Sequence, residues 1–115
     1  MKIAQLNEMV GGWFVGDFSP VCLRTTAAEV ACEHYRAGES TERHVHKVAT
    51  EITLVVSGRV RINGTELLPG QMAMLAPHEA ADFCALEDSV TVVVKTPSVI
   101  GDKYPAPILP QEAAT

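Results

Sequence analysis

Two histidines one residue apart, His44 and His46, and the glutamate at position 51 are the residues of this chain best suited to chemistry. On a strand, residues two apart project from the same face. Lys47-Val48-Ala49-Thr50 is long enough for a short turn, so Glu51 can rejoin that face from the next strand. Two imidazoles and a carboxylate then form a facial set that holds one divalent Fe, Mn, Ni or Zn ion and leaves positions open for substrate or water. The spacing alone admits, and more readily, two exposed histidines on an edge strand beside a solvated glutamate.

Other candidates follow from parity. His34 alternates with Cys32 and Val30, which makes it either a catalytic base in a pocket or a core histidine. Tyr35, on the opposite face, is expected to pack between sheets or subunits. Thr53 shares the parity of Glu51 and is expected to line a substrate cavity. Met72 and Met74 alternate on one face and are read as core filler. Arg59 and Arg61 flank a turn and are read as its solvated face.

The elements that must position these residues are strands. Glu29 to Arg36 alternates and breaks at Ala37-Gly38-Glu39-Ser40; Thr50 to Val56 is rich in β-branched residues and stops at Ser57-Gly58. Arg59 to Ile62 meets Asn63-Gly64, a strong hairpin signal because both positions tolerate positive φ. Thr65 to Leu68 returns, Pro69-Gly70 turns the chain into Gln71 to Leu75, and Ala81 to Leu86 and Ser89 to Thr96 follow the break at Ala76-Pro77-His78. Short strands at this spacing, with no helical period, predict an all-β fold, an antiparallel sandwich or barrel. Val92-Val93-Val94 does not alternate, so its strand is expected to be covered on both faces. Prolines 97, 105, 107 and 110 mark the tail. They remove backbone donors, so the tail is read as an extended arm that packs on the surface or crosses to a partner, with Gln111 to Thr115 frayed. The organisation read from these breaks is an N-terminal segment 1–28, a barrel 29–96 and a C-terminal arm 97–115 within one domain.

At 115 residues, 47% of them hydrophobic, the chain suits one domain with a proper core. Its net charge of −5 argues against nucleic acid and anionic membranes as partners, and no apolar run reaches the ~20 residues of a membrane helix. The N-terminus shows no secretory signal. Cys22, Cys32 and Cys84 form no metal-binding spacing and are read as buried reduced thiols, pointing to the cytoplasm.

The glycines around the histidines add a resemblance. Gly38, five residues, His44, one residue, His46, four residues, Glu51, six residues and Gly58 together resemble the first signature motif of the cupin superfamily at every position. That resemblance implies a jelly-roll β-barrel in which His44, His46 and Glu51 bind one divalent metal ion per chain. The family's second motif runs from Gly70, but its proline, glycine and histidine positions here hold Ala76, His78 and Ala81. The fourth ligand is therefore absent, or supplied by Asp82 through a one-residue bulge, or by His78 or Glu79. His78 is alternatively a substrate contact at the barrel mouth.

Cupins of this size resemble one another across isomerases, epimerases and dioxygenases. The expectation is a metal-dependent enzyme acting on a small sugar- or oxo-acid-like molecule, with His34 or Asp82 as base; the alternative is a non-catalytic binding or regulatory cupin. The resemblance also implies a homodimer, and Trp13 and Phe14 ahead of the barrel are expected to be buried in it.

Overall fold

β-Branched runs separated by glycine, proline and asparagine turns fold as the sequence pattern requires. The structure, a computed structural model, describes residues 1–107. Eleven strands follow two short 3₁₀ turns: β1 (Trp13–Gly16), β2 (Leu23–Arg24), β3 (Glu29–Tyr35), β4 (Ser40–Val45), β5 (Thr50–Ser57), β6 (Val60–Ile62), β7 (Thr65–Leu67), β8 (Met72–Leu75), β9 (Ala80–Ala85), β10 (Ser89–Thr96) and β11 (Tyr104–Pro105). They form two sheets, ordered β2-β1-β3-β10-β5-β8 and β11-β4-β9-β6-β7. All neighbours are antiparallel except β1 and β2. This is a jelly-roll β fold. Asn63 and Gly64 both take positive φ at the β6–β7 hairpin.

Period-two burial sets the inner face. Odd-numbered residues of β5 and β10 point inward, and Val55 and Thr91 are wholly buried. Val55, Val60, Ile62, Leu67 and Ala81 form the core at one end of the barrel, with Ala73, Leu75 and Phe83 packed against them. Removing such side chains from water stabilises the fold by roughly 25 cal/mol per Å² of apolar surface.

The outer face of the six-stranded sheet departs from two expectations. Val92 and Val94 are only half covered, so the described residues do not close over this face of β10. Met72 and Met74 lie on it at 64% and 68% exposure rather than in the core, since Ala73 and Leu75 occupy the inward positions of β8. The thiols are all free, with Cys22 exposed and Cys32 and Cys84 half-buried.

Both ends of the described chain lie against the barrel. Strand β1 pairs with β3 of the same chain, and Trp13 sits beneath the ammonium of Lys95, 4.7 Å from its ring centroid. Residues 98–107 fold back on their own barrel: β11 pairs with the outer edge of β4, where Pro105 lacks no needed donor. The expectation for Gln111 to Thr115 lies outside the described residues.

Candidate metal centre

Strand β4 carries His44 on the wall of the barrel, and the turn after it carries His46; β5 begins with Thr50 and Glu51. One ligand atom from each of His44, His46 and Glu51 lies within 4.8 Å of the other two. His46 Nε2 stands 2.7 Å from Glu51 Oε2, and the two imidazole rings meet edge to face with centroids 5.2 Å apart.

Each ring has one nitrogen already engaged. His44 Nδ1 donates to the Glu42 carbonyl at 2.9 Å, and His46 Nδ1 donates to the carbonyl of Asp102. With each Nδ1 engaged, Nε2 is the nitrogen each ring has left to offer a metal ion, His46 after giving up the proton it shares with Glu51. Thr53 donates a long hydrogen bond of 3.5 Å to Glu51. The donor set of two imidazole nitrogens and one carboxylate fits a divalent first-row metal ion.

The charges reinforce one another. The hydrogen bond to Glu51 raises the pKa of His46 despite burial, with the Asp102 carbonyl adding to the rise. Burial pushes the Glu51 carboxyl upward, but the hydrogen bond and charge of His46 outweigh it and hold the group below its usual range. Burial lowers the pKa of His44.

The cluster opens into a cavity of about 140 Å³. That is well below the roughly 300–1,000 Å³ of drug-sized sites, so it suits a small molecule. Thr53 lines it, and so does Phe83, which makes one wall apolar. Glu33, Tyr35, Lys95 and Lys103 line it as well, though the sequence reading assigned none of them to the site. Tyr35 donates to Glu33 Oε2 at 2.6 Å, and its ring packs 4.6 Å from that of Phe83. Burial raises the pKa of Glu33, partly offset by the tyrosine's hydrogen bond. Burial and the same bond push the Tyr35 phenol far above its ordinary value. Two further lining threonines, Thr41 and Thr91, hold buried hydroxyls with no hydrogen-bond partner among the described residues.

Three expected site residues lie elsewhere. His34 is exposed, because the odd residues Ala31, Glu33 and Tyr35 take the inner face of β3. Asp82 faces away from the cluster: no bulge turns it inward, and it pairs with Asn63, accepting that residue's main-chain N–H at 3.0 Å. Ala81 keeps the inward position. His78 occupies an exposed turn with φ of 70°, where its main chain donates to the His46 carbonyl at 2.7 Å. Neither His78 nor Glu79 lines the cavity.

Asp102 completes the centre from the tail. Its buried carboxylate accepts the main-chain N–H groups of Lys47 at 2.8 Å, Val48 at 3.2 Å and Ala49 at 2.9 Å. Burial opposes ionisation there, but the amides of Ala49, Lys47 and Val48 prevail and keep the carboxyl below its usual range.

Neither a protein-family model nor a curated protein matches the sequence. Solved structures do share its architecture. KdgF from Halomonas sp. is 26% identical with a TM-score of 0.60, over 65% of this chain and 74% of that one. A conserved protein with a double-stranded β-helix domain from Klebsiella pneumoniae is 25% identical with a TM-score of 0.66, over 87% and 88%. The DMSP lyase DddQ from Ruegeria pomeroyi reaches a TM-score of 0.68 over 82% of this chain and 49% of that one, but at 13% identity the likeness is one of fold. Cupin-superfamily, RmlC-like and cupin-2 proteins stand among the other neighbours. The chain shares the fold of cupin-superfamily proteins.

Proposed function

We propose that this chain is a small cupin and a metal-dependent enzyme acting on a small polar substrate, sugar-like or oxo-acid-like, by isomerase, epimerase or dioxygenase chemistry. The observation that carries the reading is one small cavity with a His44–His46–Glu51 cluster and a hydrogen-bonded Glu33–Tyr35 pair in its walls. His44 and His46 through Nε2, and Glu51 through its carboxylate, would hold one divalent ion, with no fourth protein ligand. When bound, that ion supplies Lewis acidity to substrate oxygens.

The chain's own groups supply the rest. Glu33 is the proton acceptor: burial favours its protonated form, which suits a base that must hold a proton for part of a cycle. Tyr35 keeps its own proton and orients the Glu33 carboxylate through the 2.6 Å bond. Lys103 sits at the cavity with no ion pair among the described residues and can receive a carboxylate. Lys95 is already engaged by Glu29 at 3.4 Å. The unpartnered hydroxyls of Thr41 and Thr91 suit a substrate bearing hydroxyl or carbonyl oxygens. Phe83, Trp13 and Val93 give the cavity its apolar wall.

The test is a panel of small sugars and hydroxy- or oxo-acids given to metal-loaded protein in deuterium oxide, with oxygen uptake followed in parallel. The expected result is deuterium incorporation next to a carbonyl, or oxygen consumption, for one substrate group. Saturable binding with neither reaction would point instead to a binding or regulatory cupin, which the alanine at position 81 favours by leaving only three protein ligands.

A homodimer is part of the same proposal. Two rows cross the outer face of the six-stranded sheet, Val30–Val94–Ile52–Met74 and Cys32–Val92–Leu54–Met72, without a charged side chain. A second copy, also carrying −5, can meet that face without opposing like charges.

A further inference from the structure

The segment from Ser98 to Pro105 follows the last barrel strand, and nothing in its sequence marks it as part of a metal site. It nonetheless touches both histidines of the cluster. Pro105 stands opposite His44 in the β11–β4 ladder, and Tyr104 opposite Val45. The Tyr104 ring lies under the Lys47 ammonium, 4.0 Å from the centroid. Between Ser98 and Tyr104, the buried Asp102 engages the turn after β4 at four points. Its carboxylate takes the amides of Lys47, Val48 and Ala49, and its carbonyl takes the Nδ1 proton of His46.

These contacts define two degrees of freedom for His46. The amides fix the path of the main chain between His46 and Glu51. The carbonyl fixes the rotation of the ring and sends Nε2 toward Glu51. Histidine ligands whose second nitrogen is held in this way bind metal more tightly, because the ring does not have to be ordered on binding.

We propose that Asp102 is a positioning residue that makes its part of the strap, and not the strap's docking as a whole, a component of the metal centre, setting its affinity through His46. The proposal rests on the metal-centre reading above. A strap that merely covered the barrel would need apolar contacts, whereas the buried residues of this one are Ser98 and Asp102, both polar and both hydrogen-bonded.

Full-length wild type, Asp102→Ala and Ser98→Ala are compared by Co²⁺ titration followed in the visible spectrum, and by NMR of the imidazole protons in the metal-free proteins. Ser98→Ala serves as the control. Ser98 ties the start of the strap to Asp17 and Glu29 at 3.0 and 3.1 Å, away from the 46–49 turn. The expected result is Co²⁺ affinity weakened about 10- to 100-fold in Asp102→Ala, with Ser98→Ala within about twofold of wild type. The Nδ1 proton of His46 is expected to be protected from exchange in wild type and Ser98→Ala; in Asp102→Ala the carbonyl is still present but no longer anchored to the 47–49 amides by the carboxylate, and the protection is expected to be lost. Asp102→Asn, which keeps an acceptor oxygen but not the charge, should fall between and serves if the alanine variant does not fold.

Wild-type affinity and a protected proton in Asp102→Ala overturn the proposal. So does a loss in Ser98→Ala as large as in Asp102→Ala, which would assign the effect to strap docking in general. A protected proton in wild type without Co²⁺ uptake supports the positioning role and overturns the metal reading; equal Co²⁺ uptake in wild type and Asp102→Ala does the reverse.

Discussion

The main-chain carbonyl of Asp102 accepts the Nδ1 proton of His46, 56 residues earlier in the chain. A candidate ligand in the turn after β4 is thereby oriented by a residue that follows β10, on the other sheet. The bond leaves Nε2 to face Glu51 at 2.7 Å, and in the metal-free protein the two candidate ligands form an ion pair wherever His46 is protonated.

That pair sets a pH dependence. Glu51 holds His46 above the ordinary histidine value of about 6.5, and His46 must lose its proton to bind metal. Metal affinity should fall as pH drops from about 8 to 6, with a proton released on binding. Isothermal titration in buffers of different ionisation enthalpy measures both, and an affinity flat across that range would remove His46 from the ligand set.

The same pair contributes to metal-free stability in a limited window. A raised His46 pKa stabilises the fold fully below about 6.5, and the contribution is lost as pH rises through the raised value. A lowered Glu51 pKa stabilises it above about 4.3, and the contribution is lost as pH falls through the lowered value. The difference in melting temperature between wild type and Glu51→Gln should therefore be largest between about pH 4.3 and 6.5. Thermal scans across pH check this.

Glu33→Gln removes the proton acceptor facing the cluster without changing the side chain's size. Turnover is expected to fall about 100-fold or more, with metal content unchanged. Tyr35→Phe keeps Glu33 but loses the 2.6 Å bond, so a smaller loss is expected, with an altered pH–rate profile.

The two glycines that bracket the cluster should differ in what alanine costs. Gly38 has φ of 88° and open space where a Cβ would stand, so Gly38→Ala costs about 1–2 kcal/mol for the left-handed backbone alone. At Gly58, φ is 84° and a Cβ would come within 2.3 Å of the Asp88 carbonyl and the Ser89 hydroxyl. Gly58→Ala should cost more than Gly38→Ala by urea denaturation.

Met72→Glu together with Met74→Glu places two charges on the uncharged outer face. Light scattering is expected to find a dimer for wild type and a monomer for the double variant. A wild-type monomer at micromolar concentration would rule out pairing through that face.

The strands were legible because β-branched runs end at glycine, proline and Asn63-Gly64 turns, and the spacing of His44, His46 and Glu51 announced the cluster. The choice between the two faces of a strand was not. His34 and Glu33 are neighbours in β3, and only the packing of Ala31 against the interior puts Glu33 and Tyr35 in the cavity. A histidine attracts a functional reading that parity alone cannot support. Met72 misled in the same way, since an apolar residue suggests a core even where the sheet face is open. Asp102 lies beyond any local pattern, because its role arises from a contact made by folding the tail back. Its one sequence cue is a lone acid between Gly101 and Lys103 after a proline break.

The central claim is the metal centre, and elemental analysis tests it most directly. Wild type, His44→Ala and His46→Ala are purified without chelator, reconstituted with Fe²⁺, Mn²⁺, Ni²⁺ or Zn²⁺, desalted and measured by plasma mass spectrometry. About one ion per chain in wild type, and under a tenth in each variant, is the predicted result. A full complement in both variants, or none in wild type after reconstitution, would contradict it.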